Sequence, residues 1–160
     1  MKKRIFLYYV ILIVIGISIT GLFTSQLAQS LYKREAEERL VNNAKLIEYQ
    51  VSIISANGVQ PDYNNLAMTY SGLLNQPRDN IKDNDLIYSR VTFIDFDGKV
   101  LGESDTDYKS MENHINRKEV KEAISGKLGK DIRLSRTLGV EFLYIALPLN
   151  DSRVVVRISV

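Results

Sequence analysis

The chain has 160 residues, of which 45% are hydrophobic and 25% are charged, and its formal net charge at pH 7 is +2. This is an ordinary globular composition, with room for one domain of ~100 residues and one further segment. The chain contains no cysteine, which excludes disulfides, zinc–thiolate sites and thiol catalysis and is compatible with a Gram-positive or anaerobic cell surface.

An apolar segment near the start of the chain predicts a membrane-spanning helix. No charged residue occurs between positions 5 and 32, and a bilayer-spanning helix requires about 20 predominantly apolar residues. The basic triplet KKR precedes the segment, and positively charged flanks stay in the cytoplasm. We therefore expect residues 1–4 in the cytoplasm, a single span at residues 5–25, and an extracytoplasmic domain at residues 26–160, with everything after about residue 24 outside the cell membrane.

The positive net charge belongs to this N-terminal anchor. Three of the 21 Lys and Arg residues precede the apolar segment, whereas all 19 Asp and Glu residues follow it. The exported part is therefore close to neutral, and its charge predicts no nucleic-acid partner.

A cleaved secretory signal is the alternative interpretation of the same segment. The small residues Ala28 and Ser30 provide a possible cleavage site. The apolar core of a signal peptide spans only about 7–15 residues, however, and this one is longer. The domain is exported under either interpretation.

A long helix is expected to follow the membrane segment directly. No Pro or Gly occurs after position 24 until Gly58, which can cap the helix in the left-handed conformation. An apolar stripe with steps of 4, 3, 4 and 3 consists of Leu40, Ala44, Ile47, Val51 and Ile54. Such a stripe can pack on its own domain, form a dimer interface, or do both. The charged block KREAEER before it reads as a solvated helical face.

A second, shorter helix is predicted from Asn64 to about Gln76. Either Asp62 or Asn64 can cap its first turn. Its apolar side would consist of Leu66, Tyr70, Leu73 and Leu74. A polar connection at residues 77–89 follows it.

The hydrophobic period then changes to two, which predicts strands. The strands are expected at Arg90–Phe96, Lys99–Glu103, Lys130–Thr137, Glu141–Leu147 and Val154–Val160. A short helix lies between the second and third strands, with Asn116 as N-cap, Glu119 completing a capping box and Gly126 at its end. Short links between strands favour antiparallel neighbours. The predicted class is α+β, with a five-stranded antiparallel sheet at about residues 90–160 and flanking helices.

The segment FIDFDGKVLGES, from Phe93 to Ser104, has two interpretations. Its Asp-x-Asp-Gly resembles the nucleophile loop of haloacid-dehalogenase-type phosphatases, but the single helix after it cannot build the doubly wound sheet that such enzymes need. A hairpin with Asp97-Gly98 as a two-residue type I′ loop needs only what is present. That register pairs Asp95 with Val100 and places Leu101 on the same face as Ile94. Both faces are apolar, so we expect the long helix to cover one and the short helix with its loop to cover the other.

Other site motifs are absent from the sequence. Val100 stands where an EF-hand loop beginning at Asp95 requires glycine, and GKLGK lacks the spacing of a phosphate-binding loop. The single histidine, His114, cannot supply a multi-histidine metal site and reads as structural or solvated. We therefore predict no metal, no cofactor and no catalytic residue in this chain.

Taken together, residues 90–149 resemble the extracytoplasmic sensor region of PhoR-like phosphate-regulon sensor histidine kinases from Gram-positive bacteria. The matching elements are the Asp-Gly hairpin, Asp105, MENH at 111–114, Arg117, Glu119-Val120, Gly126, Gly129, Arg133, Ser135, TLG at 137–139, Leu143-Tyr144 and Pro148. Lys118 departs from the proline expected after that arginine.

The resemblance implies a membrane two-component system. It implies a PAS-like sensor domain of the PDC type, a homodimer, a second membrane helix, and a HAMP linker before the kinase core. The catalytic core would then lie outside this chain, so enzymatic activity is a property of the longer parent. His114 would not be the phosphorylated histidine, because it lies outside the membrane.

Four residues are candidates for binding a small ligand in such a domain, although the partner could instead be a cell-envelope protein. They are Asp105 and Arg117 in the loop segment, and Arg133 and Tyr144 on the sheet. Arg133 alternates with Ile132 and Leu134, so it points away from the apolar set, either to solvent or as a fork that recognises an anion or carboxylate.

Two other functions fit the same sequence. The module could serve a chemoreceptor or a cyclic-dinucleotide synthase, or it could be a membrane-anchored surface-binding domain without signalling. The stimulus, the sign of regulation and the dimer interface are not encoded in any recognisable pattern.

Overall fold

The computed structural model describes residues 2–75, 88–134, 141–149 and 152–160. Two long segments are helical: α1 spans Lys2–Ala56 and α2 spans Tyr63–Leu74. The strands are β1 (Arg90–Asp95), β2 (Val100–Glu103), β3 (Gly129–Leu134), β4 (Glu141–Leu149) and β5 (Val154–Ser159). A 3₁₀ turn at Tyr108–Ser110 and the short helix α3 (Lys118–Ile124) lie between β2 and β3. The chain forms two compact units, Met1–Glu38 and Arg39–Val160.

The first unit consists of the N-terminal part of α1. Over its most apolar 18-residue window the mean hydropathy is 2.4, and none of that window is buried within the protein. By length and composition this helix is able to cross a membrane.

The second unit contains one antiparallel sheet with the strand order β2-β1-β5-β4-β3. The predicted α+β class and the five-stranded antiparallel sheet are confirmed. β5 is the central strand, and it pairs with β1 on one side and with β4 on the other. The predicted strand residues 135–137 and the predicted helix end at Gln76 lie outside the described residues.

One face of the sheet packs against α1 and α2. Four residues of the predicted stripe, Leu40, Ala44, Ile47 and Val51, are buried there in one cluster with apolar residues of β1, β4 and β5. The stripe therefore packs on its own domain. In α2 the prediction for Leu73 was wrong, since its side chain is 56% exposed. Asp62 is the N-cap, because its carboxylate accepts hydrogen bonds from the amides of Asn64 and Asn65.

The opposite face, here called the α3 face, is covered by α3 and the loop before it. Its apolar part is a buried cluster of Ile94, Val100, Val120, Ala123, Ala146 and Val155. The expectation that both faces of the hairpin are covered is confirmed.

The β1–β2 turn differs from the predicted type I′ turn. The Gly98 amide donates to the Asp95 carbonyl oxygen at 2.9 Å, and the Asp95 amide donates to Lys99. Gly98 has a φ of +84°, whereas Asp97 is not in the left-handed region. The loop thus has three residues, a type I turn followed by a left-handed glycine. The register shifts so that Ile94 pairs with Val100, which reverses the predicted faces of Val100 and Leu101.

Candidate functional site

Polar side chains from all five strands meet on the α3 face of the sheet. Thr92 in β1 pairs with Glu103 in β2 and with Arg157 in β5. Tyr144 in β4 pairs with Asp131 in β3. Since side chains two residues apart on a strand share a face, this register collects charged and aromatic groups beside the apolar cluster. We call Thr92, Glu103, Glu119, Arg133, Tyr144 and Arg157 the polar cluster.

α3 brings Glu119 into the polar cluster from above the sheet. A Cβ atom on Gly129 would lie 1.8 Å from the Glu119 carbonyl oxygen, so only glycine allows the helix backbone to approach β3 this closely. The predicted capping box is wrong: Arg117 is the N-cap residue, and its side chain makes no capping hydrogen bond. Glu119 instead turns inward and is 0% exposed.

Two arginines converge on the Glu119 carboxylate. Both terminal nitrogens of Arg133 donate to it, each at 2.9 Å, which is the bidentate fork geometry that makes arginine–carboxylate pairs strong. Nη1 of Arg157 lies 3.6 Å from the same carboxylate. The guanidinium carbon of Arg133 is 4.0 Å from the centre of the Tyr144 ring. This distance is typical of a cation–π contact.

The other end of the polar cluster is built around Glu103. Its carboxylate accepts from the Thr92 hydroxyl at 2.7 Å and from Arg90 at 3.3 Å. The backbone amides of Ser104 and Asp105 also donate to it. Nη2 of Arg157 donates to the Thr92 oxygen at 3.0 Å and so links this end to Glu119.

Burial lowers the pKa of both arginines, but the net shifts of the two have opposite directions. Burial lowers the pKa of Arg157 below the usual value, although Glu103 and Glu119 partly oppose this effect. Burial also lowers the pKa of Arg133, but the hydrogen bonds and charge of Glu119 outweigh this effect, so the pKa of Arg133 is raised above its usual value. A guanidinium stays protonated in a protein, so both side chains present a fixed positive charge to Glu119.

His114 lies beside the polar cluster and is structural. It is 4% exposed, and its Nδ1 is 2.7 Å from the Glu112 carbonyl oxygen. Its main-chain amide donates to Gly98 at 2.7 Å, which fixes the loop to the hairpin. Burial, followed by repulsion from Arg157, lowers the pKa of His114, so the ring is neutral at pH 7.

The structure brings two of the four predicted ligand residues together. Arg133 and Tyr144 are in contact, and Arg133 is a carboxylate fork rather than a solvent-facing residue. The Asp105 carboxylate is not in contact with these two residues and forms an ion pair with Arg90 at 3.5 Å. Arg117 pairs with Glu112 near the surface.

Sequence reasoning missed Thr92, Glu103, Glu119 and Arg157 as site residues. Two of them carried a signal: Arg157 interrupts the apolar run VVVRISV, and Glu103 ends an apolar strand. A charge within a buried strand requires a partner, but the sequence does not say which one.

Three clefts described in the second unit share no residue with the polar cluster. The largest of those described has about 660 Å³ and is lined by the α1–α2 connection, the β1–β2 turn and Arg153. Another, of about 460 Å³, lies between β2 and the 3₁₀ turn. Within the described residues, no group of three or more His, Asp or Glu side chains could hold a metal ion.

No protein-family model matches the chain, and a search of curated proteins finds no significant match. The polar cluster can recognise a carboxylate, because it presents two arginines and an aromatic platform on one face.

Proposed function

We propose that this chain is the extracytoplasmic signal-input segment of a membrane sensor histidine kinase of the PhoR-like type, with a PAS-like domain of the PDC type. The observation that carries the proposal is the dual character of α1. Its N-terminal part is apolar and unburied, whereas Leu40, Ala44, Ile47 and Val51 further along the helix are buried in the core of the domain. A ligand or partner that prefers one arrangement of the domain would bias the helix by its differential affinity.

Polar side chains within the apolar segment support a bilayer location. The hydroxyl groups of Ser18, Thr20 and Thr24 each donate to the carbonyl oxygen four residues earlier, at 2.8–2.9 Å. Since hydrocarbon offers no hydrogen-bond partner, such internal bonds are what a lipid-exposed hydroxyl requires. The absence of burial also argues against the core helix of a soluble protein.

The homodimer proposed for this protein must use another side of α1 than the buried stripe. On the opposite side, Leu46, Tyr49 and Ile53 are exposed and are spaced by 3 and 4 residues, as in a two-helix seam. Disulfide cross-linking of Leu46→Cys between two copies is the expected result. Ala44→Cys is the control, because Ala44 is buried in its own domain. Equal cross-linking of both variants would rule out this interface.

The membrane topology can be tested directly, because the protein has no cysteine of its own. In intact cells, a membrane-impermeant maleimide is expected to label Ser152→Cys, whereas Lys3→Cys should react only after permeabilisation. The opposite pattern would overturn the extracytoplasmic placement.

The type of output domain that this segment would regulate can be read from the gene sequence that follows it. A second apolar segment after Val160, then a HAMP linker and an H-E-x-x-[NT]-P phosphoacceptor helix, would support the kinase. Chemoreceptor or cyclic-dinucleotide synthase sequences there would assign the module to another output instead.

A further inference from the structure

The two arginines of the polar cluster, Arg133 and Arg157, have more hydrogen-bonding capacity than the protein uses. We call them the arginine pair. Glu119 satisfies Arg133 with two hydrogen bonds at 2.9 Å, but it reaches Arg157 only through an ion pair of 3.6 Å. Nε of Arg157 is buried and has no hydrogen-bond partner. A buried polar group without a partner is uncommon and costly, so a further acceptor at this donor would be stabilising.

The arginine pair needs a further acceptor once Glu119 is displaced. Asp131 accepts from Arg133 at 3.0 Å. Glu103 attracts Arg157, but its oxygens are already occupied by Arg90, Thr92 and two backbone amides. If Glu119 leaves, Arg133 keeps one hydrogen bond to Asp131 and Arg157 keeps one to Thr92. Their remaining donors beside the Tyr144 ring then need another acceptor.

We propose that the arginine pair is a binding site for a small carboxylate ligand, and that in this structure the protein's own Glu119 occupies it. A ligand with a second oxygen acceptor, such as a dicarboxylate, would also reach Nε of Arg157. The side chain of Arg133 is 25% exposed, so the ligand approaches from the Arg133 end.

Displacement of Glu119 would release α3 from the sheet. Glu119 forms ion pairs with β3 and β5. Without them, α3 keeps the apolar contacts of Val120, Ala123 and Ile124 and one hydrogen bond, from the Lys130 amide to the Glu122 carboxylate at 3.0 Å. The proposed carboxylate binding depends only on the geometry of the arginine pair. Its use as a signal rests on the function proposed above.

The first test measures hydrogen–deuterium exchange of the full chain in lipid nanodiscs, with succinate as probe and succinamide as its neutral control. Succinate at tens of millimolar is expected to accelerate exchange of the α3 amides several-fold and to leave α2 unchanged. Unchanged exchange in α3, or an equal effect of succinamide, would overturn the proposal.

The second test empties the site with Glu119→Ala. Acetate is expected to raise the thermal stability of this variant in a saturable manner, because it replaces the missing carboxylate, whereas acetamide should not. Glu112→Ala, which removes an exposed partner of Arg117, is the matched control and should not respond to acetate. Absence of rescue by acetate would contradict the site. If this variant does not fold, the exchange experiment on the unaltered protein decides.

The two proposals fail separately. Loss of the carboxylate effect would leave the cysteine-labelling pattern of Ser152→Cys unchanged. A reversed labelling pattern would remove the signalling role but not the carboxylate binding.

Discussion

Replacing Glu119 by Gln is expected to destabilise the second unit strongly, because it leaves two arginines without their shared carboxylate. Glutamine keeps the volume but removes the charge and one acceptor oxygen. Removing one partner of a buried ion pair costs about 3–5 kcal/mol. The lower end applies here, because Arg133 is 25% exposed and can recruit water, whereas Arg157 is 5% exposed and cannot.

A loss of about 3 kcal/mol is a large fraction of the roughly 5–15 kcal/mol that stabilises a typical domain. For a unit of this size the thermal midpoint should fall by about 10 °C. The chain has 9 tyrosines and no tryptophan, so near-UV circular dichroism of the tyrosines, recorded on the full chain in nanodiscs, follows the loss of packing.

The control is Glu112→Gln, which breaks the exposed ion pair with Arg117. Exposed pairs contribute at most about 1 kcal/mol, so its midpoint should change little. Equal, small effects of the two substitutions would show that the Glu119 carboxylate is not desolvated, and the account of the polar cluster would be refuted.

Three further predictions concern the turn, the loop and the second helix. Gly98→Ala should lower the free energy of unfolding by about 1–3 kcal/mol more than Gly126→Ala does. Both glycines have positive φ, but only a Cβ at position 98 would overlap the Asn113 side chain. Equal losses of unfolding free energy would contradict this. Burial lowers the pKa of His114, so the unfolded chain binds its proton more readily and stability should fall as the pH drops below about 6.5. His114→Asn should reduce the pH dependence of the unfolding free energy. An unchanged pH dependence would assign it to other titratable groups. Asp62→Ala should lower the free energy of unfolding by about 1 kcal/mol through loss of the α2 cap, whereas Asp62→Asn should keep most of the stabilisation by the cap. Equal losses in a denaturation series would argue against the cap.

The elements of the fold were predictable because their signals are local. The 4-3-4-3 stripe of α1 and the period-two strands gave the class and the element order, and both are confirmed. The turn was mispredicted because the Asp95 carboxylate accepts from the amides of Asp97 and Lys99 at 2.9 and 2.8 Å. This side-chain interaction favours the wider loop and is not visible in a dipeptide pattern.

The candidate site was only partly predictable because its partners come from distant parts of the chain. Glu119 had a local role available as a capping residue, and a tertiary ion pair with Arg133 overrode it. Arg157 was recognisable as a charge in an apolar strand, but its partners depend on strand register. Register places Thr92 beside it across 65 positions of sequence.

The central position of β5 has a consequence for biogenesis. β1 and β2 are synthesised well before β5, so the inner edge of β1 has no partner while the intervening residues leave the ribosome. An unpaired strand edge is prone to misassociation, and contacts between distant residues form slowly. Because the sheet closes late, any chaperone that protects the nascent domain would have to cover that edge of β1.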